Sequence, residues 1–232
     1  MRVVGMVKVR NEAPILQDTL DVWAQWCDQI HVYDDVSTDA TAEVAKRHPA
    51  VAEVITSTYY DPDRPRAEHY NRQALFTSVQ RQVGPSDWYA YFDADEHLVD
   101  FDRDLLTRTE AAAIAPHWQD VYITPDSVEV DYRRRPWVDT SDRVIPVFFR
   151  VKQAFGYTQP DQRIMHCRGP IARAGTLRHY GLGYSVEQWE RKVDYYGREW
   201  PEYRKKWEAR RGQCIRTNYT SVRGNPLTKV AA

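Results

Sequence analysis

The sequence predicts an α/β fold, a mostly parallel mixed sheet flanked by helices with a helical extension at the C-terminus. Short apolar runs alternate with helical patterns through the N-terminal half, and the first, second and fourth runs end in charged or amide residues. A length of 232 residues accommodates one large α/β domain with an extension and would cramp two independent ones.

Val3 to Val9 reads as a buried strand, after which Pro14 opens a helix with Ile15, Leu16, Leu20, Trp23 and Trp26 at helical spacing. Ile30 to Tyr33 forms a second strand ended by Asp34 and Asp35, and Ser37, Thr38 and Asp39 are cap candidates for a helix through Arg47. Val51 to Thr56 is a third strand, followed by a polar loop with Pro62 and Pro65. A longer helix from about Arg66 to Val83 carries Tyr70, Leu75, Phe76 and Val79 and stops at Gly84-Pro85. Trp88 to Phe92 is the fourth strand. Helices between strands imply right-handed crossovers and parallel pairing.

Downstream the pattern predicts a helix near Asp104 to Ala115, then strand-like Val121 to Thr124, Val128 to Tyr132 and Val144 to Val151 as antiparallel additions. Ser185 and Gln188 suggest a capping box for a helix with Trp189, Val193, Tyr196 and Trp200, kinked or divided at Pro201, with irregular chain beyond Gly212. The expected division is a domain over 1–184 and, over 185–232, a helical extension and basic tail packed on the same domain.

A net charge of −1 gives no bulk attraction to nucleic acid or membrane. From Arg204 onward, however, Lys205, Lys206, Arg210, Arg211, Arg216, Arg223 and Lys229 face Glu208 alone. This region reads as a solvated helix face with a loose tail, or as a surface for an anionic acceptor or a membrane. Cys27, Cys167 and Cys214 are odd in number and widely spaced, which argues against a zinc knuckle or disulfide framework and for a reducing compartment. The opening MRVVGMVKVRNE lacks a signal-peptide apolar stretch, and no segment approaches the ~20 apolar residues of a membrane span. The expectation is a cytoplasmic protein.

In open α/β sheets ligands bind beyond the carboxyl ends of the strands. Those ends carry Lys8, Arg10, Asn11 and Glu12 after the first strand, Asp34 and Asp35 after the second, and Asp93, Asp95 and Glu96 after the fourth. Asp93-Ala94-Asp95 can set two carboxylates near one hard cation, Mn²⁺ or Mg²⁺, with positions left for phosphate, and the cation would neutralise a diphosphate leaving group.

The stretch VKVRNEAPILQDTLDVWAQWCDQIHVYDDVSTDATAEVAKRH resembles the nucleotide-binding half of family 2 glycosyltransferases, which have the GT-A fold, and DWYAYFDADEHL resembles their metal-binding strand end. Further on, RVIPVFFR, His166 and LRHYGLGYSVEQWERKVDYYG resemble the subgroup that includes lipopolysaccharide-core sugar transferases. The resemblance runs from about Val3 to Tyr196. It implies a GT-A-like catalytic domain over 1–184 that takes a nucleoside diphosphate sugar, UDP-linked by expectation, and passes the sugar with inversion to an acceptor such as a glycan, a protein or a modified nucleobase.

By the same resemblance Asn11 and Glu12 lie beside the nucleotide, with Lys8, Arg10 and the Asp93-Ala94 backbone in the same crevice. Asp35 would accept a hydrogen bond from a pyrimidine, while Asp34 shapes the turn or joins the nucleotide site. Asp95 would be the main metal carboxylate, assisted by Asp93, with Arg72 toward the pyrophosphate. His179, in a glycine-flanked loop with Gly175, Gly181 and Gly183, would be a third ligand. The subgroup's His-Glu is His166-Cys167 here, which leaves Asp161, His166 and Glu96 as candidate general bases.

Two other readings compete. A metal-dependent phosphohydrolase or nucleotidyltransferase could use a strand-end DxD, though the chain has neither GxxxxGK[ST] nor GxGxxG. A non-catalytic sugar-nucleotide-binding module would keep the acids and lack the glutamate.

Overall fold

The alternation of apolar runs and helical patterns becomes a βαβαβαβ succession. In the computed structural model, which describes residues 1–157, 163–196, 204–205 and 219–231, the elements in chain order are β1 (Val3–Val9), α1 (Ala13–Trp23), β2 (Gln29–Asp34), α2 (Thr41–Arg47), β3 (Val51–Thr56), α3 (Arg64–Gln80), β4 (Trp88–Asp93), β5 (Glu96–Asp100), α4 (Leu105–Arg108), β6 (Ala113–Val121), β7 (Trp137–Ser141), β8 (Phe148–Arg150), β9 (Ile171–His179), α5 (Val186–Tyr196) and β10 (Thr228–Lys229). The chain divides into two units, Met1–Pro116 with Val144–Thr176, and His117–Arg143 with Leu177–Ala232.

In the first unit the sheet order is β6-β8-β4-β1-β2-β3. β1 is central and runs parallel to β2 and β4, whereas β8 joins β4 antiparallel. Both faces are covered, which explains why these strands read as continuous apolar runs rather than as alternation. Val4, Met6, Tyr89 and Tyr91 pack with Leu75, Phe76 and Val79 of α3. On α1, Trp23 stacks on Phe92 with ring centroids 4.2 Å apart. Each fully buried Leu or Phe in such a core contributes about 1.5–3 kcal/mol of apolar transfer.

Helix starts follow the sequence closely. Pro14 and Pro65 sit in the first turns of α1 and α3, where a missing N–H costs nothing. Pro65 thus belongs to the helix rather than to the preceding loop, and Asp63 caps α3 by accepting from the Arg66 amide. None of the expected caps takes the N-cap position of α2, which is Ala40 with no side-chain cap; Asp39, one residue earlier, accepts from the Thr41 amide at 3.0 Å. α1 ends before Trp26, and Tyr70 on α3 is exposed.

The expected helix over 104–115 is only Leu105–Arg108, and Ala113 begins strand β6 instead. Alanine's helix propensity loses here to burial, since Ala112, Ala113 and Ala115 are wholly buried. Of the strand expected over 121–124 only Val121 is paired, as the last residue of β6, and the one expected over 128–132 is absent. Strand β7 forms between them and the expected 144–151 segment, of which only Phe148–Arg150 is paired. These later strands are antiparallel, as the pattern implied.

In the second unit β6 pairs antiparallel with β7, setting Asp120 opposite Asp139, and β10 adds to β7. β10 corrects the expectation of irregular chain beyond Gly212. Buried Arg135 holds its turns together by donating to the carbonyls of Ser127, Val128, Gly183 and Tyr184. No carboxylate accepts from it in these bonds, and burial draws its pKa down to about 10. The Ser185 hydroxyl caps α5 by accepting from the Gln188 amide at 3.0 Å, and Trp189 and Val193 are buried below it. Trp200, Pro201 and the tail residues Lys206, Arg210, Arg211 and Arg216 lie outside the described residues. Arg223, counted with the basic tail, is paired inward with Asp120 and Asp139. Among the described residues no helix is long and apolar enough to cross a membrane.

Candidate active site

Parallel pairing brings the carboxyl ends of β1, β2 and β4 to one edge: Lys8 is in register with Asp93, and Val9 with Asp34. Beyond that edge lie the first two turns of α3. This helix changes character along its length, with Arg64, Glu68, Asn71 and Arg72 inward in its first half and Leu75, Phe76 and Val79 in its second. The polar half lines the strand ends and the apolar half covers the sheet.

Two charge clusters result. In the first, Lys8 Nζ lies 2.6 Å from Glu68 and 3.5 Å from Asp35, Arg64 pairs with both carboxylates, and Arg72 holds Glu68 at 2.8 Å. Three cations therefore meet two carboxylates, all largely buried. Burial pushes the Asp35 carboxyl up, but Lys8, Arg64 and Arg10 outweigh it and leave the group below its usual range. Arg10 donates to the Asp35 carbonyl at 2.6 Å and lies over the Tyr60 ring, its guanidinium carbon 4.4 Å from the centroid.

In the second cluster Asp93 and Glu96 meet one cation, Arg163, and Asp95 lies beside Glu96. Arg163 pairs with both Glu96 oxygens and approaches Asp93 at 3.5 Å, Glu96 also accepts from the Asp93 amide at 3.0 Å, and Asp95 and Glu96 carboxylate oxygens lie within 4.8 Å of each other. Burial works against the Arg163 charge, but Asp93 and Glu96 overcome it and hold the guanidinium firmly protonated. The Tyr91 hydroxyl joins the clusters, accepting from Arg72 Nε at 2.9 Å and donating to Asp93 at 3.3 Å. Arg72 is thus buried and engaged rather than an exposed helix arginine.

The β1–α1 and β2–α2 turns are tied together. Asn11, at φ +52°, accepts from the Thr38 amide at 2.8 Å while its own amide donates to Ser37, and the Glu12 amide donates to Thr41. Val36, at φ +55°, is a β-branched residue in the left-handed region, a costly conformation of the kind found at ligand sites. Ala94 is buried, and its carbonyl accepts from Thr19 on α1, which anchors the turn between β4 and β5.

Several buried polar atoms at these strand ends and on their neighbours have no hydrogen-bond partner, among them Asp34 Oδ1, Asn71 Nδ2 and the Tyr157 hydroxyl. Buried orphans are rare in native proteins, and each calls for an explanation such as strain, a catalytic role or a bound water or ion. Partly exposed Asp93 and Asp95 supply hard oxygen donors suited to Mg²⁺ or Mn²⁺, so the residues present fit a divalent cation.

The base candidates separate. Glu96 is wholly buried with both oxygens on Arg163. His166 is exposed; its backbone bonds to Phe155 and Gly156, and its ring lies 6.0 Å from the Phe155 ring. Asp161 lies outside the described residues. Cys167 forms a bridge with Ala154, and burial raises its thiol pKa.

In the second unit His179 ends strand β9 rather than sitting in a loop. Its Nδ1 lies 2.8 Å from Asp120, which also pairs with Arg143 and Arg223. Burial alone would raise the Asp120 carboxyl; His179, Arg143 and Trp118 overturn that and hold it far below its usual range. In the first unit Gly175, at φ +78°, serves a close approach: a Cβ there would meet the Asp100 carbonyl at 2.3 Å.

Sequence reasoning missed Arg64, Glu68, Asp120, Tyr157 and Arg163. The i, i+4, i+8 spacing of Arg64, Glu68 and Arg72 on α3 was a local signal for two of them; Arg163 and Asp120 meet partners far away in sequence, which no local pattern reveals.

No protein-family model matches the chain. It is 35% identical over 121 residues to uncharacterised proteins of Mycobacterium tuberculosis, Rv3786c, and Mycobacterium bovis, Mb3815c, the match covering 50% of this chain and 29% of theirs. The match therefore spans less than a third of these relatives' length. Among solved structures, S. aureus TarS 1–349 in complex with UDP aligns with a TM-score of 0.45 at 13% identity, over 65% of this chain and 47% of that one. A 4-diphosphocytidyl-2C-methyl-D-erythritol synthase aligns at 0.43 and 12% identity, over 75% and 90%. Glucosyl-3-phosphoglycerate synthase from Mycobacterium tuberculosis, in complex with Mn²⁺, UDP and glucosyl-3-phosphoglycerate, aligns at 0.35 and 17% identity, over 57% and 48%. These are partial likenesses at low identity.

Proposed function

We propose that the chain is a glycosyltransferase that takes a sugar from a nucleoside diphosphate sugar, UDP-linked by expectation, and passes it to an acceptor hydroxyl. The observation that supports this best is the pairing of two opposite clusters at one sheet edge. Lys8, Arg64 and Arg72 exceed their two carboxylates by one charge, which suits a diphosphate. Asp93, Asp95 and Glu96 exceed Arg163 by two, which suits a divalent cation.

When bound, Mn²⁺ or Mg²⁺ would stabilise the departing diphosphate. Asp93 and Asp95 would hold it. For His179, whose Nδ1 is engaged by Asp120, Nε2 is the nitrogen left to offer a ligand, and a carboxylate behind a ligating histidine fixes its tautomer. Arg72, steadied by Tyr91 and Glu68, would face phosphate oxygens; Asp34 and Asp35 would read the base, with Asn11 and Glu12 shaping the wall beside it. For the acceptor proton, Glu96 is committed to Arg163, so Asp161 and His166 are the stronger candidates. Likeness to the lipopolysaccharide-core subgroup rests on the later sequence blocks alone, and His166-Cys167 departs from it.

The test is incubation of the chain with UDP-, GDP-, CDP- and dTDP-sugars and Mn²⁺, following nucleoside diphosphate release. Release stimulated by Mn²⁺ and lost in Asp95→Asn is the expected result. Nucleoside monophosphate with sugar 1-phosphate as products would instead indicate the phosphohydrolase chemistry, nucleoside triphosphate formed on adding pyrophosphate the nucleotidyltransferase chemistry, and binding without release the non-catalytic module.

A further inference from the structure

Arg163 occupies an unusual place for a structural arginine. Its guanidinium forks onto the buried Glu96 carboxylate through Nη1 and Nη2, and the same Nη1 approaches Asp93, the first acid of the Asp93-Ala94-Asp95 turn, at 3.5 Å. Glu96 in turn accepts from the Asp93 amide, so one carboxylate fixes both the arginine and the backbone of the turn. Carboxylates this close repel one another, and a cation among them lowers that cost.

We propose that Arg163 is the chain's own counter-cation for these acids, standing in for a divalent ion, and that metal binding at Asp93 and Asp95 displaces it from Asp93 while Glu96 keeps hold of it. The proposal rests on the metal reading given above. The physical ground is competition: a guanidinium and a divalent ion cannot both use the same Asp93 oxygen, and the positive charge of Arg163 also opposes the arrival of a second cation nearby. The contact to Asp93 is the longer and weaker of the two, so it is the one to yield. Arg163 thereby sets how much free metal the site requires, and it keeps the acids from attracting cations indiscriminately. It is a positioning residue, acting on the metal site through Asp93 and Glu96.

The test is Mn²⁺ binding to the full chain without nucleotide, read as loss of the free-ion signal in electron paramagnetic resonance. Arg163→Gln is expected to bind Mn²⁺ about tenfold more tightly than wild type or better, since one competing charge a few ångströms away is removed. Because that variant leaves Glu96 buried without its partner, the double variant Glu96→Gln/Arg163→Gln is compared with Glu96→Gln alone, and it too is expected to gain affinity. Circular dichroism checks that each is folded. Unchanged or weaker Mn²⁺ affinity on removing Arg163 in both comparisons, with binding still lost in Asp95→Asn, would overturn the proposal and leave the metal reading standing. Binding indifferent to Asp95→Asn, or no Mn²⁺ binding by any variant, would overturn the metal reading and this proposal with it.

Discussion

Asp34 and Asp35 are consecutive in the chain yet sit in opposite electrostatic settings. Asp35 lies 3.5 Å from Lys8 and pairs with Arg64, whereas Oδ1 of Asp34 is buried without a hydrogen-bond partner. Burial pushes both carboxyls up. For Asp35 the neighbouring cations win and the pKa ends low; for Asp34 the hydrogen bonds from Ser37 do not offset burial, and it ends high. Successive side chains at a strand end point to opposite sides, which is how one step along the chain reverses the environment.

Asp35→Asn should therefore destabilise the fold by about 3 kcal/mol, because Lys8 and Arg64 lose a buried counter-charge. It should also weaken nucleotide binding by about tenfold or more, as expected when a charged hydrogen bond is lost. The folded pKa is depressed, so the stability Asp35 contributes is present above its unfolded value near ~3.9 and is lost as pH falls through the folded value. Urea melts at pH 7 and pH 3, with calorimetry for the nucleotide, check this; equal wild-type and variant stability at pH 7 would remove Asp35 from the network.

Asp34→Asn should do the reverse to stability. A carboxyl whose folded pKa is raised is protonated in the folded chain where the unfolded chain has already ionised, so the folded state loses ground as pH rises from ~3.9 through the raised value. Replacing the charge with an amide should raise stability at pH 7 by roughly 1 kcal/mol and flatten that pH dependence. A clear loss of stability at pH 7 would contradict the assignment.

Tyr157→Phe should leave the fold as stable as wild type or slightly more so. The Tyr157 hydroxyl is buried without a partner, and burial raises its pKa well above the ordinary value. Removing an unsatisfied buried hydroxyl costs no hydrogen bond and relieves a desolvation penalty of ~1–3 kcal/mol. A melting temperature several degrees lower would show that the hydroxyl does have a partner.

Gly175→Ala should destabilise by about 2 kcal/mol or more, since the new Cβ would collide with the Asp100 carbonyl at 2.3 Å and the residue sits at φ +78°. Chemical denaturation measures this directly. A neutral substitution would mean that β5 and β9 do not approach as closely as described.

The parallel half of the fold was legible in the sequence because β1, β2 and β4 are buried on both faces, with β3 partly exposed at the edge, and because α1 has whole-turn apolar spacing. β1 and β3 fall over the residues the apolar runs mark, and β2 and β4 extend those runs slightly. Past Asp100 the local signals mislead. The alanines before Pro116 look helical and form a buried strand, and β9 carries Arg173 and Arg178 within IARAGTLRH, where period-two alternation is faint. At the site, acids directly after apolar strands were readable, since a strand end is where polar residues interrupt an apolar run. Their partners were not: Arg163 meets Glu96 across 67 positions and Asp120 meets His179 across 59, pairings that only the folded topology creates.

The most direct test of the account is a thermal-shift comparison of UDP, GDP, CDP and dTDP with and without Mn²⁺ on wild type and Asp95→Asn. A ligand that binds only the folded chain raises its apparent stability by about 2.7 kcal/mol at a hundred times its Kd, a few degrees for a chain of this size. The account predicts a shift with UDP that grows with Mn²⁺ in wild type and loses its Mn²⁺ dependence in Asp95→Asn. No shift with any nucleotide, or a UDP shift indifferent both to Mn²⁺ and to Asp95, would contradict it.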